Sequence, residues 1–260
     1  MRVDYQMLRK ARFKAVCLFG AVAVLSACGQ ESSEAAGSKT DGAPKAAASP
    51  AAPAGKGKWL ETVKATPEGG FSIGNPDAPV KLIEFASLTC PHCRDFHEMA
   101  MPTIKGQYVA TGKVLYEFRN FVLNPADYGA TMLARCQGPS AFFGLADAFF
   151  KNQQTWIEPF TKLTEAQTAP LQSMSPDDQV VTYAKLGGLD GFVRARGIPE
   201  AKFKACLTDE NQRTQLETIR KTAVEQYKVT GTPAFVLNDK SLEGVHSWAD
   251  LEPLLKDAVK

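Results

Sequence analysis

Apolar and polar positions along this chain follow two different periods, and the switches between them mark its elements. Val80-Lys81-Leu82-Ile83-Glu84-Phe85-Ala86 is nearly continuous in apolar residues, the pattern of a strand buried on both faces. Residues 71–73 read as a short edge strand before it, and 74–79, rich in Gly, Pro, Asn and Asp, as the turn between them. An amphipathic run then opens, which predicts a helix over about 91–110, bent at Pro102 because proline lacks the N–H and crowds the preceding turn. Thr111-Gly112 turns the chain into a strand over 113–121. Strand, helix, strand in this order predicts a right-handed parallel crossover.

From about 126 to 209 the pattern is helical. Met132, Leu133 and Cys136 begin it, Gly138-Pro139 interrupts it, and Phe142, Phe143, Leu145, Phe149 and Phe150 resume it. Further segments cover about 176–189 and 199–207. The phenylalanines read first as the core of a small helical domain, with a binding surface as the alternative. A long helix over about 211–227 returns the chain to a strand at 234–237, a turn at Asn238-Asp239, a short strand around 241–244 and a last helix from Ser247. The predicted fold is α/β, a sheet with a helical insertion at about 126–209, and no internal repeat is visible.

The first sixty residues follow another rule. Arg2, Arg9, Lys10, Arg12 and Lys14 precede an uncharged stretch, 15–27, too short to span a bilayer as a lasting helix. Residues 1–27 therefore read as a signal peptide. Residues 28–58 are mostly Ala, Pro, Gly, Ser and Lys, and bury too little apolar surface to offset their ordering entropy. They are expected to form a disordered tether with an r.m.s. reach of roughly 30 Å. That leaves 59–260 as the folded region, sufficient for one domain with an insertion. The full chain carries a net charge of +2; without residues 1–27, which hold five Lys/Arg and one Asp, 25 basic and 27 acidic side chains remain, net −2. No basic patch with interleaved aromatics is present, so nucleic acid is not an expected partner.

The chemistry concentrates in Cys90-Pro91-His92-Cys93, between the first central strand and its helix. Two thiols at this spacing can form a disulfide and give it away. The first N–H groups of a helix lack intrahelical partners and the helix dipole adds partial positive charge, so a thiolate on Cys90 is favoured there and Cys93 lies one turn inside as the resolving thiol. A stabilised reduced form makes the disulfide a stronger oxidant. His92 adds a cation or donor near the Cys90 sulfur, or is an exposed helix-start residue without effect; His97 is expected at the surface.

Of six cysteines, Cys17 and Cys28 lie in the N-terminal segment, leaving Cys90, Cys93, Cys136 and Cys206. Four thiols permit three pairings. Cys90 with Cys93 is favoured, which leaves Cys136 with Cys206 as a structural bridge across about 70 residues. A structural zinc site needs four ligands, usually two close pairs, and only one pair exists here, so neither metal nor cofactor is expected.

Leu25-Ser26-Ala27-Cys28 resembles the recognition box of bacterial lipoproteins. The resemblance implies acylation of Cys28 and a lipid anchor, an ordinary secretory signal being the alternative. Gly29, in place of an aspartate, points weakly to the outer membrane. From about Phe71 onward, Cys90-Pro91-His92-Cys93 after a strand, a helical insertion, and Val229-Thr230-Gly231-Thr232-Pro233 ahead of a strand resemble the DsbA-type thiol:disulfide oxidoreductases of bacterial envelopes, which have a thioredoxin-like fold with an inserted helical domain.

The DsbA-type resemblance implies that Cys90 is the exposed nucleophile, Cys93 the buried resolving cysteine, and Pro233 a cis proline beside the disulfide that leaves neighbouring backbone free to pair with an extended substrate. Glu84 matches a buried acid suited to moving the proton of Cys93, or else faces outward from its strand. The implied partners are thiol-containing envelope proteins and a DsbB-like membrane quinone reductase, on the periplasmic side of a bacterial membrane. Thr232 departs from the apolar residue of strong oxidases and looks more like isomerase and reductase branches. Such isomerases carry a folded N-terminal dimerisation domain, for which 29–58 is too short. A tethered, non-redox chaperone or metal-binding module is the non-enzymatic alternative.

Overall fold

The structure, a computed structural model, describes residues 58–260. The signal peptide, Cys17, Cys28 and nearly all of the tether expected at 28–58 lie outside the described residues. Six strands form one sheet: β1 (Val63–Ala65), β2 (Phe71–Gly74), β3 (Val80–Ala86), β4 (Val114–Asn120), β5 (Ala234–Leu237) and β6 (Lys240–Ser241), in the order β1-β2-β4-β3-β5-β6. β3 and β4 are parallel, joined by α1 (Pro91–Thr103), while β5 runs antiparallel to β3 on its other side. Leu82, Ile83 and Phe85 of β3 are fully buried, as its nearly continuous apolar pattern requires. The sheet is held from one side by Phe96 of α1, whose ring lies 4.7 Å from Phe235 of β5 and 6.5 Å from Trp248.

The helix expected to run past Pro102 does so with a change of pitch. α1 ends at Thr103, and Ile104–Val109 continues as a π-helix in which Ala110 N–H bonds to Lys105 O at 2.9 Å. Pro102 removes one i→i−4 bond and crowds its own turn, so the chain widens there rather than only bending.

Between β4 and β5 the chain is helical: α2 (Pro125–Arg135), α3 (Pro139–Lys151), α4 (Gln153–Thr161), α5 (Glu165–Thr168), α6 (Pro176–Leu186), α7 (Leu189–Arg194), α8 (Glu200–Leu207) and α9 (Glu210–Glu225). The Gly138-Pro139 break is a glycine at φ +74° followed by a proline opening α3. Phe142, Phe149 and Phe150 are core residues: Phe142 stacks on Phe71 at 4.1 Å and Phe149 meets Phe192 at 4.7 Å. Cys136, at the end of α2, is bridged to Cys206 of α8 with 5.2 Å between Cα atoms. β6 begins one residue earlier and ends three residues earlier than the strand predicted around 241–244. Asn238 and Asp239 both take positive φ, which makes a two-residue turn and pairs Leu237 with Lys240. A last helix, α10 (Trp248–Ala258), closes the chain.

Candidate active site

The segment Ser87-Leu88-Thr89 carries the chain from the end of β3 to α1, and the helical insertion holds it in place. Leu88 N–H donates to Asp127 Oδ1 at 2.9 Å, and Asp127 Oδ2 also accepts Leu123 N–H at 2.9 Å. Burial pushes the Asp127 carboxyl up to about 6, against these hydrogen bonds. Gln153, the first residue of α4, donates from Nε2 to both Leu88 O and Cys90 O at 2.9 Å. Gln153→Ala should leave the buried Leu88 carbonyl without a partner, the Cys90 carbonyl keeping the Arg94 N–H, and cost about 1–3 kcal/mol. Urea unfolding measures the loss, and a native midpoint would remove Gln153 from this role.

Cys90 is the N-cap of α1, Pro91 its first residue, and Cys93 lies within its first turn. The resemblance implied an exposed Cys90. The residue instead keeps only 7% of its surface, because the loop before β5 lies against it: its Sγ–H donates to Thr232 O at 3.3 Å. The Thr232–Pro233 peptide is cis, and His246 Nδ1 lies 2.9 Å from Pro233 O. The Cys90 thiol is lowered to about 5. The largest cause is the Cys93 thiol donating to the thiolate, opposed by burial and helped by the Thr232 side-chain hydroxyl and by the backbone N–H groups of Cys93 and His92. Thr232 Oγ1 is buried and otherwise unpartnered. The His92 side chain is exposed, and among the described residues its ring makes no hydrogen bond to the sulfur; its backbone does. Cys93 is fully buried, and burial, then the Cys90 thiolate and the Glu84 charge, push it well above the ordinary thiol range.

Glu84, whose orientation was open in the sequence, is completely buried. Its Oε2 accepts Tyr116 Oη at 2.5 Å and lies 3.3 Å from His97 Nε2, while Oε1 has no partner among the described residues. The expectation of a surface His97 is corrected: it keeps 6% of its surface, with its ring 4.1 Å from that of Phe150. His97 lies four residues after Cys93, one helical turn on, and so shares the inward face of α1. That spacing was the available signal. Tyr116, Asp147, Asp127 and Gln153 carried no comparable one. Among the described residues, no group of three or more His, Cys, Asp and Glu side chains is placed to hold a metal.

A low-pKa thiol paired with a high-pKa thiol one turn away, beside a cis proline and above a buried acid, can attack or be attacked as a dithiol–disulfide couple. Fold and site together define a thioredoxin-like protein with a DsbA-type helical insertion. The profile of the family described as thioredoxin matches residues 66–257, and the chain belongs to that family.

Among its relatives is a Rickettsia bellii protein named for protein-disulfide oxidoreductase activity, 29% identical over 177 residues, which cover 68% of this chain and 60% of the relative. The chain thus spans about three fifths of the length of this curated relative. A solved structure, the protein-disulfide isomerase from Novosphingobium aromaticivorans, is 34% identical with a TM-score of 0.69, over 73% of this chain and 96% of that one. Wolbachia pipientis α-DsbA1 shares the fold at 24% identity, TM-score 0.58, over 77% and 96%.

Proposed function

We propose that this chain is an envelope thiol:disulfide oxidase that donates the Cys90–Cys93 disulfide to secreted or periplasmic proteins. The observation that carries the reading is the opposed titration of the two thiols, Cys90 at about 5 and Cys93 well above the ordinary range. A substrate thiolate attacks Cys90 Sγ. The substrate–Cys90 bond forms, the Cys90–Cys93 bond breaks, and Cys93 leaves with the electron pair and takes up a proton, for which Glu84 is the acid. A second substrate thiolate then attacks the substrate sulfur and releases Cys90 as a stable thiolate. A DsbB-like membrane quinone reductase returns the reduced chain to its disulfide form. The lipid anchor at Cys28 holds it at the periplasmic side of the membrane, within reach of these partners. Relatives named for protein-disulfide oxidoreductase activity and for disulfide bond formation support the reaction class.

A second reading, disulfide isomerase or reductase, is favoured by Thr232 before the cis proline and by the name of the Novosphingobium relative. A Cys93→Ala variant separates the two. As an oxidase it should accumulate mixed disulfides through Cys90 with envelope proteins whose cysteines are reduced in cells lacking the chain. Trapped proteins that already hold non-native disulfides would favour the isomerase. No trapped protein at all would sink both readings.

A further inference from the structure

Cys93 and Glu84 are both sealed from solvent, so any proton that reaches Cys93 has to travel. Tyr116 Oη occupies one approach to Glu84 and has itself a value raised far above the ordinary phenol by burial and by the Glu84 charge, which makes it a poor donor of that proton. The other approach leads outward. His97 Nε2 lies 3.3 Å from Glu84 Oε2, and His97 Nδ1 lies 3.9 Å from Asp147 Oδ1. Lys105 Nζ contacts Asp147 Oδ2 at 2.7 Å. Side-chain exposure rises along this line, from 0% at Glu84 and 5% at His97 to 43% at Asp147. His97, Asp147 and Lys105 also line a 330 Å³ cavity between α1 and α3, with Glu98 and Lys151 at its exposed side.

We propose that His97 is the proton inlet of the redox site, carrying protons from this cavity and Asp147 to Glu84 and so to Cys93. The inference rests on the reading of Glu84 as the acid for Cys93. When the substrate thiolate displaces Cys93, the new thiolate takes the proton of the Glu84 carboxyl. The imidazolium, whose Nδ1 takes up its proton from the cavity side, replaces it on Glu84 with its Nε2–H and is left neutral with the proton on Nδ1; on reoxidation Glu84 returns a proton to Nε2 and Nδ1 releases one to the cavity. One proton enters for each disulfide broken, and no other reactant is required.

The charged and titratable groups facing His97 are Glu84 from β3, Tyr116 from β4, Cys93 on its own helix, Lys105 from the π-helix and Asp147 from α3. Burial alone would lower His97, but Glu84 and Asp147, where ionised, outweigh it and raise the imidazole above its ordinary value. Its ring is wedged against Phe150 and Phe118 at 4.1 and 5.7 Å between the two acids, and neither of its nitrogens makes a hydrogen bond among the described residues.

The test follows reduction of the oxidised full chain by glutathione across pH, with rates corrected for the thiolate fraction of glutathione. His97→Gln should slow Cys93 release roughly tenfold and remove the alkaline limb that reports loss of the imidazolium proton. The titration of Cys90 should stay where it is. Added imidazole should restore the rate of His97→Ala through the cavity. Asp147→Asn, on the solvent side, should move the alkaline limb to lower pH, since the imidazolium loses one carboxylate; it decides the matter alone if the His97 variants do not fold.

Glu84→Gln should slow the same step roughly a hundredfold. Slow Glu84→Gln with native rate and profile in His97→Gln and Asp147→Asn overturns the inlet and leaves Glu84 in its role. A native rate in Glu84→Gln overturns the reading of Glu84 itself.

Discussion

Followed by thiolate absorbance, Cys90 should ionise with a midpoint near pH 5, so that thiolate exceeds thiol about a hundredfold at pH 7. The consequence for stability carries a definite sign. A group whose folded value is depressed stabilises the fold above its unfolded value and loses that contribution as pH falls through the folded one. For Cys90 the window runs from about 5 up to the free-thiol range near 8.5. Only the dithiol form titrates, so the stability of reduced relative to oxidised protein should rise across this window, by on the order of a few kcal/mol.

Chemical unfolding of both redox forms at pH 5 and pH 8 measures the gap, and a gap that does not change with pH would contradict the assignment. Cys93→Ala should raise the Cys90 midpoint, because the Cys93 thiol is the largest single source of the depression. Thr232 and the backbone N–H groups of the helix start would keep it below an ordinary thiol.

Removal of the Cys136–Cys206 bridge should have the largest effect on stability. The bridge closes 70 residues, and in the chain-entropy account a loop of that length contributes about 4 kcal/mol, a value that depends on the account adopted. A Cys136→Ala/Cys206→Ala variant should therefore unfold roughly 10 °C lower for a domain of this size. The two ends lie within a packed network. The neighbouring Arg135 is buried, donating to Gln212, Asn120, Gly69 O and Gln215 at 2.7–3.1 Å, with its guanidinium 4.8 Å over Phe71. Loss of the bridge should accordingly loosen α2 and α8 before the sheet. Hydrogen exchange would show this as early opening of α2 and α8, whereas uniform exchange across the domain would argue for a merely global effect.

Much of the architecture was legible because it rests on short-range rules. A nearly continuous apolar run with β-branched residues makes β3 central, a helix follows a proline at its first position, and Gly138-Pro139 stops one helix and starts another. α4 was not legible. Gln153 and Gln154 blur its start, Pro159 sits near its end, and it is held by tertiary contacts, the Gln153 bonds to Leu88 O and Cys90 O and the packing of Trp156 against Phe149. β1 is three residues long and depends on pairing with β2, which no local signal announces.

The division within the site has the same physical origin. The sequence by itself determined the two thiols, their placement at a helix start and their association with Thr232-Pro233, since each depends on residue type and on spacing along the chain. Only the tertiary structure decided which way Glu84 faces, because strand alternation says nothing about which face of β3 the helices cover. It also turned His97 inward, brought Asp147 from a helix fifty residues further on to its other nitrogen, and laid Thr232 against the Cys90 sulfur. A thiol's identity is local, whereas its proton affinity is the sum of burial and of charges that the fold gathers from distant parts of the chain.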